Sequence, residues 1–264
     1  MLDVGLFANR SFTGIMLCAL LLNGAAFSAS IYTSLWLQSI LGLSPLQGGL
    51  VFIPLSLLSF CVAGGAGRFL QTLPPRFVLA VGLGLVGAGS LLLGLVHGGA
   101  SWVILVPGLT VLGAGVGMAN PTLASAALAA VPRERSGMAS GAVNTFRQLG
   151  FALGVAVLGS VFTTRATAAL TAGSAHDPSG TAAALVAGQA GRIVGQAPGA
   201  QRAALAQLLD SAYADGLRDV FLVAGAAGIV GALLVLWLVR AEAPHQADRP
   251  VERPEARKPE PAAT

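Results

Sequence analysis

Charge is scarce in this chain: 10% of its 264 residues are Asp, Glu, Lys or Arg, against about 25% in soluble domains. A deficit of that size excludes an ordinary water-soluble fold. Histidine and cysteine are scarcer still, at three and two residues. Cys18 and Cys61 fall inside apolar runs, so no disulfide framework is visible. His97, His176 and His245 stand apart from one another in loops and tail, so no metal-ligand cluster is visible and no cofactor is implied. Neither an HExxH nor a GxSG string occurs, which leaves intramembrane protease chemistry unsupported and points away from an enzyme. The basic residues, 15 in all, lie mostly between apolar runs and form no basic stripe interleaved with aromatics, so nucleic-acid binding is also disfavoured despite a net charge of +4.

What the sequence has instead is apolar surface, at 55% of residues and a mean hydropathy of +0.76. A bilayer core about 30 Å thick needs roughly 20 apolar residues in a helix to cross it. Six segments qualify: residues 12–37, 46–69, 77–96, 102–130, 137–163 and 220–239. The fold class expected is therefore an all-α integral membrane protein, a bundle of six transmembrane helices. The first run is long and lacks a nearby small-residue cleavage site, which argues against a signal peptide.

The connections carry helix punctuation. Ser44-Pro45-Leu46-Gln47 is a capping-box pattern with Pro at the first helical position. Residues 73–76, 97–101 and 131–135 are hairpin-length links, so consecutive spans should run antiparallel. With the N-terminus inside, Arg10, Arg68, Arg76, Arg133, Arg135 and Arg240 all face the cytoplasm, while the short outer loops carry no Lys or Arg. That pattern predicts a cytoplasmic N-terminal segment over 1–11, cytoplasmic location of both ends, and an outer loop over 164–219. In that loop Gly173, Asp177, Pro178 and Gly180 read as flexible, whereas Leu205, Leu208, Leu209, Ala212, Tyr213 and Leu217 share one face of an amphipathic helix leading into the sixth span. Residues 240–264 turn to Pro, Ala, Glu and Arg and read as a disordered cytoplasmic tail.

Gly82-Leu83-Gly84-Leu85-Val86-Gly87 matches the dinucleotide-binding fingerprint as a string, but no strand precedes it and it lies within an apolar helix. Its glycines are read instead as points of close helix approach, as are Gly113 and Gly117 on the fourth span and Gly137, Gly141, Gly150 and Gly154 on the fifth. The sharpest chemical feature is the fifth span's Asn144-Thr145-Phe146-Arg147-Gln148. Arg147 lies near the middle of that span, where a charge costs roughly 3 kcal/mol on insertion scales and has to face a cavity or a partner. Ser140, Asn144, Arg147 and Gln148 share a face with Gly137, Gly141 and Gly154, a small and polar stripe expected to point into the bundle. Two readings of Arg147 stay open, a structural brace to a neighbouring helix and a residue of a substrate cavity. The first span carries a second polar stripe, Asn23, Ser30, Ser34 and Gln38, with Tyr32 and Trp36 nearby as interfacial aromatics or pathway lining. No Asp or Glu lies within the first five spans, so any proton-carrying carboxylate would have to come from elsewhere.

The run Pro132 to Gly159, PRERSGMASGAVNTFRQLGFALGVAVLG, resembles the C-terminal half of the fourteen-span drug:proton antiporters of the major facilitator superfamily. Leu2 to Phe12 resembles the cytoplasmic segment before their ninth helix. In the family's cytoplasmic loop signature, G-x-x-x-D-R-x-G followed by basic residues, Gly67 and Arg76 fit the first and basic positions, with Arg68 beside them. Gln71, Thr72 and Pro74 stand where the Asp, Arg and second Gly would be. The resemblance implies that the six spans are helices nine to fourteen, one half of a major facilitator fold. It implies small hydrophobic or cationic substrates exported in exchange for protons, and an N-terminal helix bundle as the missing partner, whether the chain is a fragment, half of a complex or one copy of a homodimer. The rival expectation is a non-transporting membrane scaffold or partner-binding subunit that docks through the outer amphipathic helix.

Overall fold

The computed structural model describes residues 9–65, 72–173 and 177–239. Among them there are helices and no strand. The N-terminal segment before Asn9, the tail from Arg240, and Gly67 and Arg68 lie outside the described residues.

The first span is α1, Arg10–Ser39. The Asn9 side chain caps it by accepting from the Ser11 amide at 2.9 Å, which satisfies one of the orphan donors of the first turn. Midway, Asn23–Phe27 winds as a π turn, a local widening that sequence periodicity does not reveal. The second span is two helices, α2 (Pro45–Val51) and α3 (Ile53–Gly65), bent by 44°. Ser44 and Gln47 form the expected capping box. The bend follows from Pro54, which has no N–H for the Leu50 carbonyl and whose ring crowds the preceding turn. Next come α4 (Pro75–Leu93), α5 (Leu105–Ala129) and α6 (Ser136–Ala172). Two short helices, α7 (Pro178–Val186) and α8 (Ala190–Gln196), lead to α9 (Arg202–Leu238). Counting the bent pair as one span, six segments are long and apolar enough to cross a membrane.

The region expected to form an outer loop differs from the sequence expectation. Asp177 and Pro178 do not mark a flexible stretch: the Asp177 carboxylate accepts from the Gly180 amide at 3.0 Å and Pro178 takes the first turn of α7. The amphipathic segment and the sixth span are one unbroken helix of 37 residues, and α6 has the same length. At about 1.5 Å per residue each is ~55 Å long, well beyond a 30 Å hydrocarbon core. The C-terminal end of α6 and the N-terminal end of α9 therefore project together at one end of the bundle. There Leu209, Ala212, Tyr213 and Leu217 are buried, and the Asp210 carboxylate accepts from the Gly99 amide in the α4–α5 turn at 2.6 Å.

The helices lie in the order α3, α5, α4, α9, α6, with α1 against both α6 and α9. Lipid tails are as apolar as Leu, so helices in a bilayer associate through close packing rather than water exclusion. Glycine permits it at each seam. A Cβ on Gly87 of α4 would come within 2.8 Å of the Ile229 amide nitrogen of α9, while one on Gly82 would meet the Gly115 carbonyl of α5 at 3.0 Å. The apparent dinucleotide fingerprint thus serves two helix interfaces. Gly113 and Gly117 lie against the backbone of Leu55 and Ser59 on α3, and Gly150 lies against Leu20 of α1. Gly154 joins that last seam, its Cα lying 3.9 Å from where a Gly24 Cβ would sit. Gly137 and Gly141 differ from expectation. Among the described residues nothing comes within 4 Å of a Cβ at either position, because both lie on the exposed face of α6, opposite the buried Ala139, Ala142 and Val143.

These contrasts predict opposite outcomes for one substitution. Gly150→Ala should lower stability by about 1–3 kcal/mol through overpacking against Leu20, whereas Gly141→Ala should be neutral or stabilising by up to about 1 kcal/mol. Thermal unfolding of the two variants in detergent micelles measures the difference.

Candidate functional site

Arg147 and the residues around it form the candidate site. Asn120 lies in α5 just before Pro121, and Arg147 lies eleven residues into α6, or ~17 Å from the helix start. The Arg147 Nη2 donates to Asn120 Oδ1 at 2.8 Å. No carboxylate among the described residues pairs with it, and its Nε is enclosed without a hydrogen-bond partner. The cation that sequence reasoning pairs with a carboxylate or with backbone carbonyls is held here by a neutral amide. Sequence reasoning misses Asn120. A signal exists: it is the lone amide side chain in α5, where hydroxyls such as Thr110 and Thr122 bond back to their own helix.

Asn144 and Gln148 lie one turn apart on the same helix, both exposed, and among the described residues neither bonds to another helix. Ser140 and the two open glycines, Gly137 and Gly141, continue this strip. The stripe expected to point into the bundle is therefore divided: Arg147 turns inward to α5 and Gly154 to α1, whereas Ser140, Asn144, Gln148 and the two open glycines face away from the other described helices. Exposed Pro121 and Ser125 on α5 extend the same character.

The α1 set is arranged differently. Asn23 Nδ2 donates to Ala19 O at 3.1 Å, Ser30 Oγ to Ala26 O at 2.9 Å, and Gln38 Nε2 to Ser34 Oγ at 2.9 Å, so all four side chains are engaged within their own helix. Helices α1 and α6 run parallel, since Leu20 and Gly24 meet Gly150 while Tyr32 meets Val155. Asn23 consequently sits near the depth of Gln148. Gln38 lies fourteen residues beyond Gly24, roughly 20 Å further along. Ser30, Ser34 and Gln38 therefore do not oppose Asn144 and Arg147 but lie toward the other end of the bundle.

At that end the aromatics are structural. Tyr32 and Trp36, read from sequence as interfacial or pathway-lining, are 3% and 0% exposed. The Tyr32 hydroxyl donates to Val155 O at 2.8 Å, and the Tyr213 hydroxyl donates to Tyr32 O at 3.0 Å. Phe162 stacks on Tyr32 at 5.7 Å and meets Tyr213 edge-on at 4.7 Å. Three helices are thereby tied below the projecting cap, where Arg165 and Asp219 also pair at 3.4 Å. A separate crevice of about 140 Å³ between α1, α6 and α9 is lined by Leu20, Gly24, Gly150, Leu153, Gly154 and Val223 among others, all apolar. At the start of α4, the Arg76 guanidinium lies 4.4 Å over the Phe77 ring.

Residues 4–155 match the Major Facilitator Superfamily. The chain belongs to that superfamily. Among curated relatives, it is 32% identical over 241 residues to the multidrug efflux pump LfrA of Mycolicibacterium smegmatis, an alignment covering 88% of this chain and 47% of that protein. It is 32% identical over 161 residues to the multidrug resistance protein Stp of Mycobacterium tuberculosis, covering 61% of this chain and 30% of that protein. It is 34% identical over 169 residues to a probable actinorhodin transporter of Streptomyces coelicolor, covering 61% and 29%. The chain thus spans under half the length of the relatives it matches. Membership of a transporter superfamily and the six-segment helical bundle agree on a multi-pass membrane protein. In such a protein the high exposure of Phe60 (77%) and Trp237 (78%) is ordinary lipid-facing surface rather than a solubility fault.

Removing the Asn120 oxygen takes away the hydrogen bond that holds the Arg147 guanidinium to α5. Asn120→Ala should destabilise the bundle by about 1–3 kcal/mol, and a lowered unfolding midpoint in detergent, set against an unchanged one for an exposed control such as Ser125→Ala, measures it.

Proposed function

We propose that this chain is the C-terminal six-helix half of a carrier that exports small hydrophobic or cationic compounds in exchange for protons. The observation that carries this reading is the outward-facing polar strip of Asn144 and Gln148 beside the under-compensated Arg147. Polar groups at this depth are costly against lipid and are found facing bundle interiors or water-filled cavities. A second helix bundle, rocking against this one around a midplane site, supplies such a surface. The names of the relatives, a multidrug efflux pump and a multidrug resistance protein, support the substrate class.

In this reading Asn144, Arg147 and Gln148 line the path between the two bundles and Asn23 stands near their depth. Ser30, Ser34 and Gln38 belong to the path's other end. Gly113, Gly117, Gly150 and Gly154 hold the helices together, while Gly137 and Gly141 let the second bundle approach α6 closely. Gly67, Arg68 and Arg76 belong to the cytoplasmic loop, and both chain ends are cytoplasmic. The described acidic residues, Glu134, Asp177, Asp210, Asp215 and Asp219, all lie at helix ends or in the projecting cap, so the proton-carrying carboxylate belongs to the second bundle. Burial of Leu209, Ala212, Tyr213 and Leu217 within the chain's own cap, with Leu205 and Leu208 partly buried against the same core, supports the carrier reading over a scaffold that docks through this face.

Ethidium efflux from cells expressing this chain with and without a matching N-terminal bundle tests the reading. Efflux is expected only when both are present, and it should collapse on dissipating the proton gradient. Robust proton-dependent efflux by this chain alone would overturn the half-carrier assignment.

A further inference from the structure

The Arg147–Asn120 pair has a chemical polarity that the carrier reading leaves unused. A guanidinium only donates hydrogen bonds. The contact between Arg147 Nη2 and Asn120 Oδ1 therefore occupies the Asn120 oxygen and leaves the Nδ2 on the same amide carbon as the donor that a ligand can use. Arg147 is partly exposed although its Nε is enclosed, so its accessible donors are on the terminal nitrogens, next to Asn120. The local inventory is a group of N–H donors from two helices, one full positive charge, and no carboxylate among the described residues to neutralise it. The amides of Asn144 and Gln148 flank it on α6. Arg76 also has an enclosed, unpartnered Nε, but its guanidinium is stacked over Phe77 at a helix start.

We propose that Arg147 and Asn120 form an oxyanion site, and that this bundle favours hydrophobic compounds bearing a carboxylate. The proposal rests on the reading that this face lines an export path, and it narrows the cargo accepted there. A carboxylate is planar with two acceptor oxygens, so it can take charge-assisted bonds from a terminal guanidinium nitrogen and an adjacent amide together. Interaction of a bound anion with Arg147 is strengthened in surroundings of low dielectric, and a cationic compound is repelled from this one contact by the same field, so a cation such as ethidium takes other parts of the path. Asn120 is then a specificity-determining residue: it aims the guanidinium and adds a neutral donor without cancelling the charge.

The test uses the purified full chain in phosphatidylcholine nanodiscs, with naphthoate and naphthamide as probes. These share an aromatic body and differ in carrying a carboxylate or a neutral amide. Equilibrium dialysis at neutral pH, with empty nanodiscs subtracted, should show naphthoate bound at least about tenfold more tightly than naphthamide, the scale of one charged hydrogen bond. Arg147→Gln should bring the ratio to about one. Asn120→Asp should do the same by placing a carboxylate against Arg147, while its unfolding midpoint stays at or above that of the unmodified chain, which separates loss of the site from loss of the fold. Equal binding of the two probes by the unmodified chain, including undetectable binding of both, overturns the proposal, as does a tenfold preference that survives in Asn120→Asp or Arg147→Gln. The ethidium experiment reports separately on the carrier reading. Efflux by the two-bundle cells without a naphthoate preference leaves the carrier standing and removes the anion site; a naphthoate preference without efflux does the reverse.

Discussion

Backbone-to-backbone approach at glycine is the constraint on which the rest of this bundle depends. In a bilayer, burying Leu against Leu instead of lipid gains little, so a helix pair holds together only if its surfaces come close enough for dispersion contacts to accumulate. Each seam here has such a point: Gly82 and Gly115, Gly87 and Gly228, Gly113 and Leu55, Gly150 and Leu20. The positions of these points also fix helix order and direction. Because Gly82 and Gly87 lie on different sides of α4, that helix is held between α5 and α9. Because Gly150 meets Leu20, α6 runs beside α1 at a depth that puts Arg147 against α5 rather than against lipid.

The projecting cap follows from the same register. Helices α6 and α9 are antiparallel and longer than a membrane is thick, so their extra turns emerge together and bury each other's apolar faces. The Tyr32, Phe162 and Tyr213 cluster secures this joint. Its hydroxyls bond to backbone carbonyls on neighbouring helices, which satisfies polar groups that could not otherwise be buried cheaply. Exposed pairs such as Arg165 and Asp219 add little by comparison, because water screens them.

How far the sequence reveals this depends on which physical signal each feature leaves. The six spans are legible because a run of about twenty apolar residues matches the thickness of a bilayer and little else, and the start of α2 is legible because Ser44-Pro45-Leu46-Gln47 encodes its own cap. Partner choice is not. A glycine announces that something comes close but not what, so Gly137 and Gly141 look the same as Gly150 in sequence and yet face open space. The interruption at Asn23–Phe27 leaves no trace because a π turn needs no special residue, only an accommodating neighbour such as Gly150. The flexible reading of Asp177 and Pro178 fails for an instructive reason: the residues that break chains are also those that begin helices, and only the following Thr181 to Val186 decides between the two.

The candidate site is legible in one residue and hidden in the other. Arg147 is conspicuous because charge inside an apolar span is rare and costly, but the counterpart expected for a buried cation is an acid that neutralises it. The structure shows a different solution, in which Asn120 satisfies one donor and leaves the charge in place. Stability alone does not favour that arrangement. An aspartate at position 120 would pair with Arg147 more strongly, and an apolar pair would avoid the desolvation cost altogether. An uncancelled cation beside an outward-facing amide strip is the arrangement expected when the charge has to remain available to something that comes and goes.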